Sequence, residues 1–177
     1  PYDTMEKVIG LKGKEAGSLK AQSIGYKEID LIPHLTNHEK MQELLQNNID
    51  PATKLVYIQK SRGYSFDRPT LSVQEIEALI VQVRKTAKDL VVMVDNCYGE
   101  FVEKLEPTQV DADLIAGSLI KNPGGGLAIS GGYIAGKKEA VENAVNRLTA
   151  PGVGSHIGLT YDQNRLILQG LFLAPSV

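Results

Sequence analysis

The chain has 177 residues, 42% hydrophobic and 23% charged, a globular composition that excludes disordered and collagen-like architectures. Its formal net charge of −2 leaves no basic surplus to argue for nucleic acid. The longest apolar run, residues 90–94, falls far short of the ~20 residues of a membrane span, and the single cysteine, Cys97, can form neither an internal disulfide nor a cysteine-rich zinc site.

A reducing, cytoplasmic setting is the expectation from that cysteine usage. The length predicts one domain, or one piece of a larger one. The chain opens on Pro1 without a signal-peptide pattern and closes on Ala174-Pro175-Ser176-Val177 just after an apolar stretch, which reads as a part of a longer protein.

In chain order, residues 23–31 read as a strand. Thr36-Asn37-His38-Glu39 reads as a capping box with Thr36 as the cap, opening a helix to about residue 46. Residues 54–59 are short and β-rich, hence a strand. Ser72-Val73-Gln74-Glu75 is a second capping box, followed by Ile76, Leu79, Ile80, Val83 and Ala87 on one helical face. Residues 90–95 are continuously apolar up to Asp95, the pattern of a strand buried on both faces. Residues 113–120 form another strand, and 127–130 and 133–135 two short strands around Gly131-Gly132. Helices are predicted over 137–149, stopped by Pro151, and over 159–173. Strands alternating with helices predict an α/β fold with a mostly parallel sheet flanked by helices.

In such sheets ligands bind at the carboxyl ends of the strands. That rule selects Asp95, Lys121 and the Ser61-Arg62-Gly63-Tyr64 loop: a carboxylate, an amine and a guanidinium on one rim. Two readings of the first pair compete. In one, Asp95 and Lys121 form a structural ion pair, because a buried carboxylate is costly without a cation. In the other, a desolvated Lys121 has a lowered pKa and becomes a nucleophile able to form a Schiff base, while Asp95 holds a protonated pyridine nitrogen. Those are the protein's two contributions to pyridoxal phosphate chemistry.

The surrounding residues decide which family the chain resembles. Val94-Asp95-Asn96-Cys97-Tyr98-Gly99-Glu100-Phe101 and Ser118-Leu119-Ile120-Lys121 resemble the cofactor segments of the cysteine and methionine metabolism family of pyridoxal phosphate enzymes. Ile58-Gln59-Lys60-Ser61-Arg62-Gly63-Tyr64, the stretches 95–103 and 116–136, and Arg147-Leu148-Thr149-Ala150-Pro151-Gly152 resemble its branch of aluminium-resistance, or methionine gamma-lyase-like, proteins. The resemblance covers essentially the whole chain. It implies part of the large domain of fold-type I enzymes, with pyridoxal 5'-phosphate as cofactor. Lys121 would carry the cofactor and shuttle the proton, Asp95 would bond the pyridine nitrogen, Ser118 would contact the phosphate and Tyr2 would stack on the ring. It also implies a cytoplasmic homodimer or homotetramer that eliminates a thiol from a sulphur-containing amino acid, as cystathionine beta-lyase and methionine gamma-lyase do. The family often has a hydroxyl just before the lysine, where this chain has Ile120. The family's phosphate cup would precede Tyr2, and its small domain, with the arginine that holds the substrate carboxylate, would follow Val177. The chain 1–177 is therefore expected to be the central part of the cofactor-binding domain.

Other signals carry blander readings. Gly131-Gly132-Tyr133-Ile134-Ala135-Gly136-Lys137 nearly spells a nucleotide phosphate loop, but Lys138 stands where Ser or Thr must bind magnesium. His34 and His38 are spaced for a metal, yet His34 precedes the predicted helix. Cys97 is read as a small buried hydrophobe, Arg62 as a substrate or cofactor contact, and Asp111 and Asp113 as a solvated turn. Two alternatives to the lyase stand: another reaction on the same cofactor, such as transsulphuration or racemisation, and a cofactor-less binding or assembly module.

Overall fold

The computed structural model describes residues 3–13, 16–157 and 162–177. The elements run α1 (Asp3–Ile9), α2 (His38–Asn48), β1 (Leu55–Gln59), α3 (Val73–Thr86), β2 (Val91–Asp95), β3 (Leu114–Ser118), β4 (Gly132–Gly136), α4 (Lys138–Leu148) and α5 (Asn164–Leu173). The strands form one sheet in the order β1-β2-β3-β4. β1, β2 and β3 are parallel, and β4 returns antiparallel along β3. The predicted α/β class with a mostly parallel sheet is the observed one.

The core lies on one face of this sheet. Ile58, Val94 and Ile115 stand side by side in register, with Val92 two residues back on β2. Against them pack Met41 and Leu45 of α2 and Ile76, Leu79, Ile80 and Val83 of α3. Met41, Ile76, Val92 and Val94 are fully buried, and each such side chain stabilises the fold by about 1.5–3 kcal/mol relative to exposure. The helical stripe read from the sequence is this buried face. The Ser72–Glu75 capping box also forms: the Ser72 hydroxyl accepts from the Glu75 amide, and the Glu75 carboxylate accepts from the Ser72 amide. Among the described residues no helix is long and apolar enough to cross a membrane.

Local differences have physical causes. The cap of α2 is Asn37 rather than Thr36, its side chain accepting from the Lys40 amide at 2.9 Å. Residues 24–31 form no strand, because no sheet neighbour pairs with them. Residues 127–130 are not a strand either: the Leu127 and Ala128 amides turn back onto the Gly124 carbonyl. The near phosphate loop is β4 itself, paired from Gly132 to Gly136 along β3. Gly136 adopts φ +147, and a Cβ there would collide with the Asp113 carbonyl, which explains this glycine without a phosphate. Part of the predicted 159–173 helix, residues 159–161, lies outside the described residues; Asp162 lies in a turn, Gln163 is the helix cap, and the helix itself, α5, begins at Asn164.

Candidate functional site

Strand alternation places Tyr57, Gln59, Asp95, Ala116 and Ser118 on the face opposite the core. Register puts Gln59 beside Asp95 and Asp95 beside Ala116 at the carboxyl edge. Asp95 is half-buried. Its Oδ2 accepts from the Tyr57 hydroxyl at 2.9 Å, and its Oδ1 accepts from the Cys97 amide at 3.0 Å. Both partners are neutral donors. Among the described residues no cation lies within ion-pair distance of Asp95, so the Asp95–Lys121 salt bridge of the structural reading is not formed.

Lys121 follows β3 and caps the short 3-10 turn Asn122–Gly124. Its Nζ sits 4.6 Å from the centroid of the Tyr98 ring, a cation–π contact, and lies within electrostatic reach of Cys97. Burial alone would lower its pKa. Influences from Cys97, Tyr98 and Asp95 outweigh burial and hold the amine above the ordinary lysine value. The expected lowered pKa is thus corrected: here Lys121 is an ammonium. Burial, together with Asp95, pushes the Cys97 thiol up, against the opposing Lys121 contact. Cys97 is therefore half-buried, with its backbone amide bonded to Asp95, rather than a fully buried core residue.

Ser118 closes β3, and its hydroxyl accepts from the Ile120 amide at 3.4 Å. Tyr2 lies outside the described residues. Arg62 is exposed and stacks on Phe66 at 5.5 Å rather than facing Asp95. The guanidinium at the rim is Arg68, which donates to the Gln59 carbonyl. Burial holds Arg68 below its usual value despite the nearby charges of Tyr57, Glu28, Asp30 and Asp95. Tyr57 and Arg68 were absent from the sequence reading. Tyr57 could have been found, since it lies two residues before Gln59 and so shares its face. Arg68 carried no periodic signal. Lys60, a second amine beside the rim, is 2% exposed and consumed by Glu103 at 2.5 Å and the Leu71 carbonyl at 2.8 Å.

These residues fit a pyridine-type cofactor. The Asp95 oxygens each use one lone pair on a neutral donor, which leaves acceptor capacity for a further proton-bearing nitrogen. Lys121 supplies an amine within electrostatic reach of that carboxylate.

The methionine gamma-lyase family profile matches residues 1–177. The chain belongs to the methionine gamma-lyase family. It is 48% identical over 179 residues to protein YnbB of Bacillus subtilis strain 168, covering 100% of this chain and 41% of that protein. Among solved structures it is similar to a carbon–sulfur lyase involved in aluminium resistance from Clostridium novyi NT, at 45% identity and TM-score 0.86, covering 99% of this chain and 41% of that one. A cystathionine gamma-lyase from Lactobacillus plantarum shares the fold, with TM-score 0.64 at 20% identity over 89% of this chain and 36% of that one. The family and fold expected from the sequence are those observed. The chain spans about two fifths of the length of YnbB and of the Clostridium novyi chain.

Proposed function

We propose that the chain is the central part of the cofactor-binding domain of a pyridoxal 5'-phosphate-dependent carbon–sulphur lyase acting on a sulphur-containing amino acid. One observation carries the reading: a carboxylate satisfied only by neutral donors at a strand end, with a lysine within its electrostatic reach in the turn after the next strand. When bound, the cofactor supplies a carbonyl for the substrate amine and a ring that accepts electrons.

In this reading Asp95 holds the proton on the ring nitrogen, and Tyr57 and the Cys97 amide fix the carboxylate that does so. Lys121 anchors the cofactor carbonyl carbon. With its amine free, Lys121 would take the proton from the substrate Cα and hold it on Nζ beside the leaving sulphur. Ser118 is the hydroxyl for the cofactor phosphate, and Tyr2 the ring-stacking residue. The extra length of the relatives is where the remaining phosphate and substrate-carboxylate contacts would lie. The assembly would be a cytoplasmic homodimer or homotetramer, which light scattering on the full-length protein checks.

The test is product analysis with cystathionine, methionine and cysteine on full-length protein supplied with the cofactor. Release of a thiol with a keto acid and ammonia supports the lyase. Transfer of the sulphur-bearing group to a second substrate would make it a transsulphuration enzyme, and a change of chirality alone a racemase.

A further inference from the structure

On the core side of the same strand ends lies a second acidic group that the proposed reaction does not use. Glu100 follows β2 in the Tyr98-Gly99-Glu100-Phe101 turn and is 5% exposed. Its Oε1 accepts from the Tyr133 hydroxyl of β4 at 2.8 Å. Its Oε2 is fully buried without a hydrogen-bond partner. Among the described residues no cation is within ion-pair distance of it. A carboxylate buried without a cation is unfavourable, and taking up a proton relieves this.

Burial and the nearby Glu106 favour the neutral form, against the Tyr133 hydrogen bond, the residue's own backbone amide and Lys121. Fully buried Asn96 donates through Nδ2 to the Tyr133 oxygen at 3.2 Å and to Glu106 at 2.8 Å, while its Oδ1 has no partner. A proton on Glu100 therefore adds a donor to a cluster that holds a spare acceptor. Glu106, from the same loop, adds negative charge; Lys121, from the loop after β3, adds positive charge; Tyr133 faces the group from β4. Burial is the largest influence, and the carboxyl stands above its ordinary value.

Glu100 is also tied to the lysine segment. The Asn122 side chain, next to Lys121, donates to the Glu100 carbonyl at 3.1 Å. The carboxyl and the Tyr133 ring pack on Gly117, where any Cβ would overlap both, directly before Ser118.

We propose that Glu100 is a positioning residue for Lys121: a neutral carboxylic acid, locked beneath Gly117, that fixes the lysine segment without adding negative charge beside its amine. The proposal rests on Lys121 carrying the cofactor.

The experiment uses the full-length protein loaded with pyridoxal 5'-phosphate, as wild type, Glu100→Gln and Glu100→Ala. Borohydride reduction and peptide mapping of wild type come first. No adduct on Lys121 overturns the functional reading and the positioning role with it. With the adduct present, two readouts judge Glu100 alone. Infrared difference spectra of wild type against Glu100→Gln are expected to show the carbonyl band of a protonated carboxylic acid in wild type at neutral pH; a carboxylate band in its place overturns the proposal. The pH titration of the visible cofactor band is expected to keep its midpoint in Glu100→Gln and to shift in Glu100→Ala. A downward shift in Glu100→Gln, as loss of a negative charge beside Lys121 would give, overturns the neutral acid. Unchanged midpoints in both variants overturn the positioning role.

Discussion

The two ends of the sheet treat a carboxylate in opposite ways. At the amino end, Asp113 precedes β3 and is buried. It accepts from the Val92 amide at 2.6 Å and pairs with Arg84 at 2.7 Å and Lys137 at 2.5 Å. At the carboxyl end, Asp95 has a tyrosine hydroxyl and one backbone amide and no ion-paired cation among the described residues. Asp113 is neutralised within the fold, as structural carboxylates are. Asp95 is held in place by neutral donors without an ion-paired cation among the described residues, which leaves it able to bind a cationic ring. A carboxylate's role thus follows from what satisfies it, and both ends can be tested on that basis.

The largest effect is expected at Lys121. Lys121→Ala should remove bound cofactor colour and cut turnover by about 10²–10⁴-fold, the contribution of a positioned acid–base group. A substitution that costs only stability and leaves colour would return the site to a structural role.

Next is Asp113→Ala, expected to cost roughly 3 kcal/mol, at the low end for breaking a buried pair, with cofactor colour per folded molecule unchanged. Urea unfolding measures the first and absorbance the second. The pH dependence has a definite sign. Burial alone would raise the Asp113 carboxyl, but Arg84, Lys137 and the Val92 amide hold it below its ordinary value. Its stabilisation is present above the unfolded carboxylate value of about 3.9 and lost as pH falls through the lower folded value. Asp113→Ala should flatten that acid limb.

Asp95→Asn reverses the pattern. Asparagine keeps an acceptor oxygen, and a hydrogen bond to a charged group is worth about 1.5–3 kcal/mol in full, so weakening it should move the unfolding midpoint less than Asp113→Ala does, while cofactor binding and activity fall. If Asp95→Asn destabilised as much as Asp113→Ala, the contrast between the two ends would fail.

The smallest effect concerns Cys97. Burial acts to lower Lys121, and the Cys97 contact is the foremost of the influences that raise it. Cys97→Ala should therefore lower the pH at which Lys121 of the cofactor-free protein is reductively methylated. An unchanged labelling profile would remove Cys97 from the account of Lys121.

Asp95 was legible because it ends an apolar strand, and Lys121 because it lies shortly beyond the end of another, in the turn after Ser118. Arg62 also follows β1 closely in sequence, but the loop turns it out onto Phe66 and brings Arg68 back to the Gln59 carbonyl. That return is set by tertiary packing, which periodicity does not encode. Asp113 was read as a solvated turn because its cations come from α3 and from the start of α4, remote in sequence. Only Asp111 fits that reading, exposed and at φ +71. Residues 23–31 and 127–130 had strand-like composition without a strand to pair with, and pairing is what makes a strand. Glu100 gave no periodic signal, since its burial depends on Gly117 and Tyr133 meeting across β3 and β4.

The most direct test of the central claim is borohydride reduction of the full-length protein with pyridoxal 5'-phosphate, followed by peptide mapping. The account predicts a pyridoxyl adduct on Lys121 and none on Lys60, whose amine is buried against Glu103 and the Leu71 carbonyl. A protein without an adduct on Lys121 would contradict it.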